Sequence, residues 1–177
     1  MTTAVDRRRF PHVGLKHRLS DVSYRVYDRA RHRTAFEVAG QAGTAPDFAG
    51  LRGRKYALLV TFRSDGTAVP TPVWFALLDD HRFVTRTEER TAKVRRIRRD
   101  PRVRVFPCDP RGKPLGSGVE GIARILGTGE RSERAEAELD RHYGRTRRIY
   151  EKLMADESGM VYLEVVPAAR EPDAPPT

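Results

Sequence analysis

Apolar residues cluster or alternate in five short runs between residues 56 and 126, and once more near the end of the chain. Tyr56 to Phe62 has strand composition, and Asp65-Gly66 after it is a hairpin turn dipeptide between two apolar runs. Val69 to Leu78 is expected as the returning strand, Asp79-Asp80 as a second turn and Arg82 to Thr87 as a third strand, together a three-stranded meander. Val103 to Cys108, Val119 to Leu126 and Met160 to Val166 complete the strands. Pro70 and Pro72 lie inside the second strand, where proline cannot donate to a ladder, so that strand belongs at an edge, a bulge or a cleft mouth.

Between strands the period changes to that of a helix. Ala92 to Arg99 puts Val94 and Ile97 on one seam, with Lys93 and Arg96 bordering it and Arg95, Arg98 and Arg99 further out, and Asp100-Pro101 ends the run. Ser132 to Met154 reads as two helices capped by Ser132 and divided at Gly144, and Asp47 caps a short turn carrying Phe48 and Leu51. In the N-terminal stretch Ser20 could cap a helix over Asp21–Arg33. Strands outnumber helices, an order that suggests a small antiparallel barrel with helices on its rim. The expected division is a basic, partly flexible extension over 1–45, a domain over 46–167 and a Pro-rich disordered tail over 168–177.

Composition narrows the partners. A net charge of +10 with pI near 10.3 points to an anionic ligand or partner. Of the 34 basic residues 29 are Arg, and residues 1–45, with nine basic and four acidic side chains (9 − 4 = +5), supply half the excess. The basic residues are otherwise spread along the chain, no nucleic-acid module is present, and a nucleic-acid partner is not expected. Cys108 is the only cysteine, which excludes a disulfide framework and a cysteine-based zinc site. The opening MTTAVDRRRFP lacks the apolar centre of a secretory signal and no apolar run could span a bilayer, so a cytoplasmic protein without a membrane partner is expected.

Protein-borne catalysis finds no support. There is no GxSxG or HExxH, His12, His17 and His32 match no ligand spacing, and no carboxylate pair stands out. No metal site and no catalytic residue can be nominated; an enzyme of this sequence would rely on a cofactor. Two stretches could hold one. RTEERTAKVRRIRRDP at 86–101 places Thr87 and Thr91 at a helix start with Lys93 and Arg96 one turn apart, either a phosphate seat or a solvated basic face, with Glu88 and Glu89 close by. Val73-Trp74-Phe75, containing the only tryptophan, is either core or a flat apolar wall for a planar ring.

Taken in order, KYALLVTFRSDGTAVPTPVWF and TRTEERTAKVRRIRRDPRVRVFPCDPRGKP resemble the pyridoxamine-phosphate-oxidase-like split β-barrel proteins, and more narrowly their F420-dependent flavin/deazaflavin branch. The similarity rests on Thr61-Phe62-Arg63, Asp65-Gly66, Pro70 to Phe75, Thr87 and Thr91 with Lys93 and Arg96, and Asp100-Pro101-Arg102-Val103, within about residues 48–167. It implies a mainly β (α+β) fold, a split barrel of six or seven antiparallel strands of the FMN-binding type. It also implies a homodimer with the cofactor in a groove between subunits. Lys93, Arg96, Thr87 and Thr91 would hold the cofactor phosphate; Pro72, Val73 and Trp74 would line the ring; Thr61 would join the same site. The activity implied is hydride transfer from reduced F420 to an electron-poor small molecule. The alternatives are FMN chemistry of the oxidase or reductase type, or non-catalytic binding of a cofactor such as flavin or haem, or of nucleic acid.

Overall fold

The computed structural model describes residues 33–79, 81–144 and 159–168. The strands are β1 (Tyr56–Phe62), β2 (Ala68–Val73), β3 (Ala76–Asp79), β4 (Arg82–Glu88), β5 (Arg102–Cys108), β6 (Val119–Leu126) and β7 (Met160–Pro167). The helices are α1 (Arg33–Ala39), α2 (Ala92–Arg99) and α3 (Glu130–Tyr143), and Ala49–Leu51 forms one 3-10 turn. The expected helix over 21–33, the second helix after Gly144 and the tail beyond 168 lie outside the described residues.

All seven strands join one antiparallel sheet in the order β2-β1-β5-β6-β7-β4-β3. That order corrects the expected meander. The run Val69–Leu78 is two strands, not one: β2 pairs with β1 at one edge and β3 pairs with β4 at the other. Only Trp74 and Phe75 separate them in sequence. Three Cα steps reach at most about 11 Å, whereas seven flat strands would hold their edges roughly 29 Å apart. The sheet must therefore curl until the end of β2 and the start of β3 come within that reach, with no ladder between the two edges: a half-barrel of the split-barrel type. Pro70 and Pro72 fall on the edge strand β2, where proline is tolerated in a sheet.

The strand alternation sorts side chains between two faces. Inside the curl, Leu59, Phe75, Phe83, Val105, Leu163 and Val165 form the main core, which Phe48 and Leu51 join from the 3-10 turn and Val94 and Ile97 from α2. Outside, α1 covers Leu58, Val60, Phe106 and Cys108 with Ala35 and Ala39, and α3 covers Ala76 and Val84 with Ala135, Leu139 and Tyr143. The stretch 33–45, expected within the N-terminal extension, thus packs on the sheet. It is fastened by Glu120, whose Oε1 accepts the Gly43 N–H at 2.7 Å and Arg104 Nε at 2.7 Å, and by Arg104 Nη1 donating to the Ala39 carbonyl.

Helix ends follow local chemistry. Asp47 accepts the Ala49 N–H at 2.9 Å, as its place before the turn implies. Ser132 does not cap α3: Gly129, at φ 133°, holds the capping position, and the Ser132 hydroxyl donates to its carbonyl. A left-handed glycine opens the helix earlier than a serine search suggests. Gly144, at φ 53°, ends it.

Candidate cofactor site

Helix α2 lies across one mouth of the barrel. Val94 and Ile97 anchor it in the core and Lys93 is also buried, while Arg95, Arg98 and Arg99 are exposed. The bordering pair divides its attention. Lys93 Nζ donates to Thr87 Oγ1 on β4 at 2.6 Å, and Arg96 Nε donates to Thr61 Oγ1 on β1 at 2.7 Å. β1 and β4 are not neighbours in the sheet. Two basic side chains one turn apart therefore span the mouth, each held by a threonine on its own side. Arg99 adds a bond to the Phe62 carbonyl at 2.7 Å.

Thr91 occupies the N-cap of α2 without capping it: its hydroxyl donates to the Glu88 carbonyl at 2.9 Å, so the first turn has no side-chain cap. An uncapped first turn beside a buried ammonium is a favourable place for an anion. Thr85, on the same face of β4 as Thr87, is fully buried and its Oγ1 has no hydrogen-bond partner. Of the two acidic neighbours, Glu89 is engaged by exposed Arg98. Asp100 closes the helix, and its hydrogen bond from the Arg102 guanidinium holds its carboxyl below the ordinary range. Cationic donors, hydroxyls and an uncapped helix start are what a phosphate-bearing cofactor requires, so the residues present fit that group.

The expected ring wall is arranged differently. The side chains of Pro72, Val73 and Trp74 go to three packing groups. Pro72 lies on the outer face, where a Cβ on Gly112 would come within 2.9 Å of its Cγ. Val73 packs against the interior core. Trp74 stacks on Tyr143 of α3, ring centroids 5.0 Å apart at 17°. What the three share is the end of one edge strand.

Sequence reasoning missed Thr85, Tyr143 and His142. Tyr143 accepts the Phe75 N–H at 2.8 Å and donates to the Lys55 carbonyl at 2.6 Å. His142 lines a cavity of about 280 Å³ with Leu51, Phe75, Leu77, Glu138 and Arg141, and a second cavity of about 370 Å³ lies along residues 124–131. Neither contains any of the eight expected site residues. Among the described residues no group of His, Cys, Asp and Glu could hold a metal ion, and no helix is long and apolar enough to cross a membrane.

A seven-stranded curled antiparallel half-barrel with a basic, threonine-bound helix beside it defines a protein of the split-barrel class. The family profile of pyridoxamine 5'-phosphate oxidase matches residues 48–171, and the chain belongs to that family. The family binds flavin-type cofactors (FMN, FAD, F420) and includes oxidoreductases. The conserved hypothetical protein Rv2991 of Mycobacterium tuberculosis is similar in structure, with a TM-score of 0.53 and 21% identity over 72% of this chain and 86% of that one. HutZ, the heme storage protein of Vibrio cholerae, gives a TM-score of 0.52 and 13% identity over 66% of this chain and 83% of that one. An F420 reductase gives 0.49 and 25% identity over 67% and 91%. The likenesses to Rv2991 and HutZ concern the fold alone. Among curated proteins none matches the sequence significantly.

Proposed function

We propose that this chain is an F420-dependent oxidoreductase that hands a hydride from the reduced cofactor to an electron-poor small molecule. The observation that carries the reading is the pair formed by Lys93, in the uncapped first turn of α2, and Arg96, one turn further along, oriented by Thr87 and Thr61. In this reading Lys93, Arg96, Thr87 and Thr91 bind the cofactor phosphate, and Thr61 keeps Arg96 in place. The strand end Pro72–Trp74 then stands beside the ring: Pro72 and Val73 pair with β1 on one side only, because β2 is an edge strand, and Trp74 lies just past its end. F420, when bound, supplies the hydride; the chain's own groups bind, orient and exclude water.

A net charge of +10 supports F420 over a less anionic cofactor, because F420 carries a poly-carboxylate tail besides its phosphate. FMN is the second reading, since its phosphate suits the same seat and the family includes FMN binders. A homodimer, with the groove between two copies, belongs to the same proposal.

Side-by-side titration with F420 and FMN tests the choice. Colourless protein that quenches F420 fluorescence at micromolar affinity and ignores FMN supports the first reading. Yellow protein with flavin absorbance replaces it with the second. A salt-sensitive shift of DNA or RNA with neither cofactor bound refutes both. Light scattering on the loaded protein gives the oligomeric state.

A further inference from the structure

The two-residue link that closes the barrel is held by one side chain from a distant part of the sequence. Tyr143, the last residue of α3, has its hydroxyl between the Phe75 N–H, 68 positions away, and the Lys55 carbonyl, 88 positions away. Its ring lies flat on Trp74, with centroids 5.0 Å apart. His142 meets Tyr143 edge-on at 4.8 Å and bonds to the Arg54 carbonyl through Nε2. The last turn of α3 thus grips both the link and the residues that lead into β1. Trp74 is only partly buried, whereas Tyr143 and Phe75 are buried. The half-buried ring rests on a buried one.

We infer that Tyr143 is the positioning residue for Trp74: it sets the plane of that indole and so the shape of the pocket wall beside the cofactor ring. The inference deepens the proposed function and rests on its placing Trp74 beside the ring. A flat ring recognises a flat wall only if the wall's tilt is defined before binding. Here the tilt is defined by a stack plus two hydrogen bonds to backbone groups on either side. Chemistry at the wall is thereby tied to the C-terminal turn of α3.

Trp74 is the only tryptophan, so its emission reports this place alone. Tyr143→Phe keeps the stack and removes the hydroxyl; Tyr143→Leu removes both. In the full chain without cofactor, acrylamide quenching of Trp74 should rise in the order wild type, Tyr143→Phe, Tyr143→Leu. Cofactor Kd should rise in the same order, about tenfold in Tyr143→Leu, and the visible band of the bound cofactor should shift. Competition by inorganic phosphate should stay within about twofold of wild type, since the Lys93 seat is untouched. Circular dichroism checks that each variant is folded, and Tyr143→Phe alone suffices if Tyr143→Leu is not.

Unchanged Trp74 quenching in both variants overturns the inference whether or not a cofactor binds. A response of Trp74 with unaltered cofactor affinity and band position also overturns it, reducing Tyr143 to a fold residue. If the unmodified chain binds neither F420 nor FMN, the proposed function fails and takes the positioning role with it.

Discussion

Replacing Lys93 by methionine separates the two things that side chain does. Lys93 is only 8% exposed, and Val94 and Ile97 beside it are in the core, so truncation to alanine would leave a cavity and confuse the outcome. Methionine fills the stem's volume and removes the ammonium, and with it the 2.6 Å bond to Thr87. A charge-assisted hydrogen bond to an anion contributes about 1.5–3 kcal/mol. Loss of one such bond to a cofactor phosphate therefore predicts a Kd about 10- to 150-fold weaker. Arg96→Met predicts a loss of the same order, and Arg95→Met is the control. Arg95 carries the same charge on the same helix but is exposed and bonds to the Arg90 carbonyl, so its loss should change Kd by less than about twofold at moderate salt. The assay is fluorescence titration with F420 and absorbance titration with FMN, with thermal melts on each variant. Wild-type affinity in both Lys93→Met and Arg96→Met would falsify the phosphate seat. An equal loss in Arg95→Met would show that diffuse charge, not the seat, holds the ligand.

Three further outcomes follow from the packing. Tyr143→Phe leaves the Phe75 N–H and the Lys55 carbonyl without their partner, which should destabilise the fold by about 2–4 kcal/mol in urea unfolding; a change under about 0.5 kcal/mol would contradict the geometry. A Cβ on Gly43 would lie 2.7 Å from the Glu120 nitrogen and 2.8 Å from the Gly118 carbonyl, all rigid backbone, so Gly43→Ala should cost about 1–3 kcal/mol and expose the 40–45 strap to limited proteolysis; wild-type stability and cleavage would refute the close approach. Burial pushes the Cys108 thiol from its ordinary 9.0 up to about 12. Its folded pKa is the raised one, so the folded chain keeps a proton that the unfolded chain loses between those values. Stability should fall above pH 9 by about 1.4 kcal/mol per pH unit more than in Cys108→Ala, and the native thiol should resist maleimide at pH 8; equal pH slopes in the two proteins would contradict it.

Elements whose signal is local were legible in the sequence. The wheel over Ala92–Arg99 separated Lys93 and Arg96 from the outer arginines because amphipathicity is a property of consecutive residues, and the structure buries Val94, Ile97 and Lys93 accordingly. The hairpin at Asp65-Gly66 could be read for the same reason: Gly66 takes φ 80° in its turn. What failed depended on distance. VPTPVWFALL is apolar after Thr71 and contains no turn residue after Pro72, so nothing local marks where the chain leaves one sheet edge and joins the other. Helix α1 escaped notice because its buried face consists of Ala35 and Ala39, too small to register as a hydrophobic stripe yet right for a helix lying close on Leu58 and Val60. Tyr143 could be recognised as a buried helix residue, but not as the holder of residues 55 and 75, since both contacts exist only after the barrel closes.

Closure of the barrel also explains why the candidate seat lies where it does. Along most of the sheet the distance between strands is set by backbone ladders. At the mouth under α2 it is not, because β1 and β4 share no ladder. There the separation is set by side chains, Lys93 to Thr87 and Arg96 to Thr61. An anion entering this place would share the same ammonium and guanidinium that span the gap, drawing both toward its oxygens. Binding and mouth width would then be one equilibrium, and a ligand holding both cations would tighten the mouth it occupies. Threonine suits that exchange. Its hydroxyl accepts from the cation while the seat is empty and can donate to a phosphate oxygen when it is filled, so neither state leaves a buried polar atom unpaired. Valine at 61 or 87 would keep the shape and abolish the exchange, so the proposed site predicts that the two threonines matter as much as the two cations.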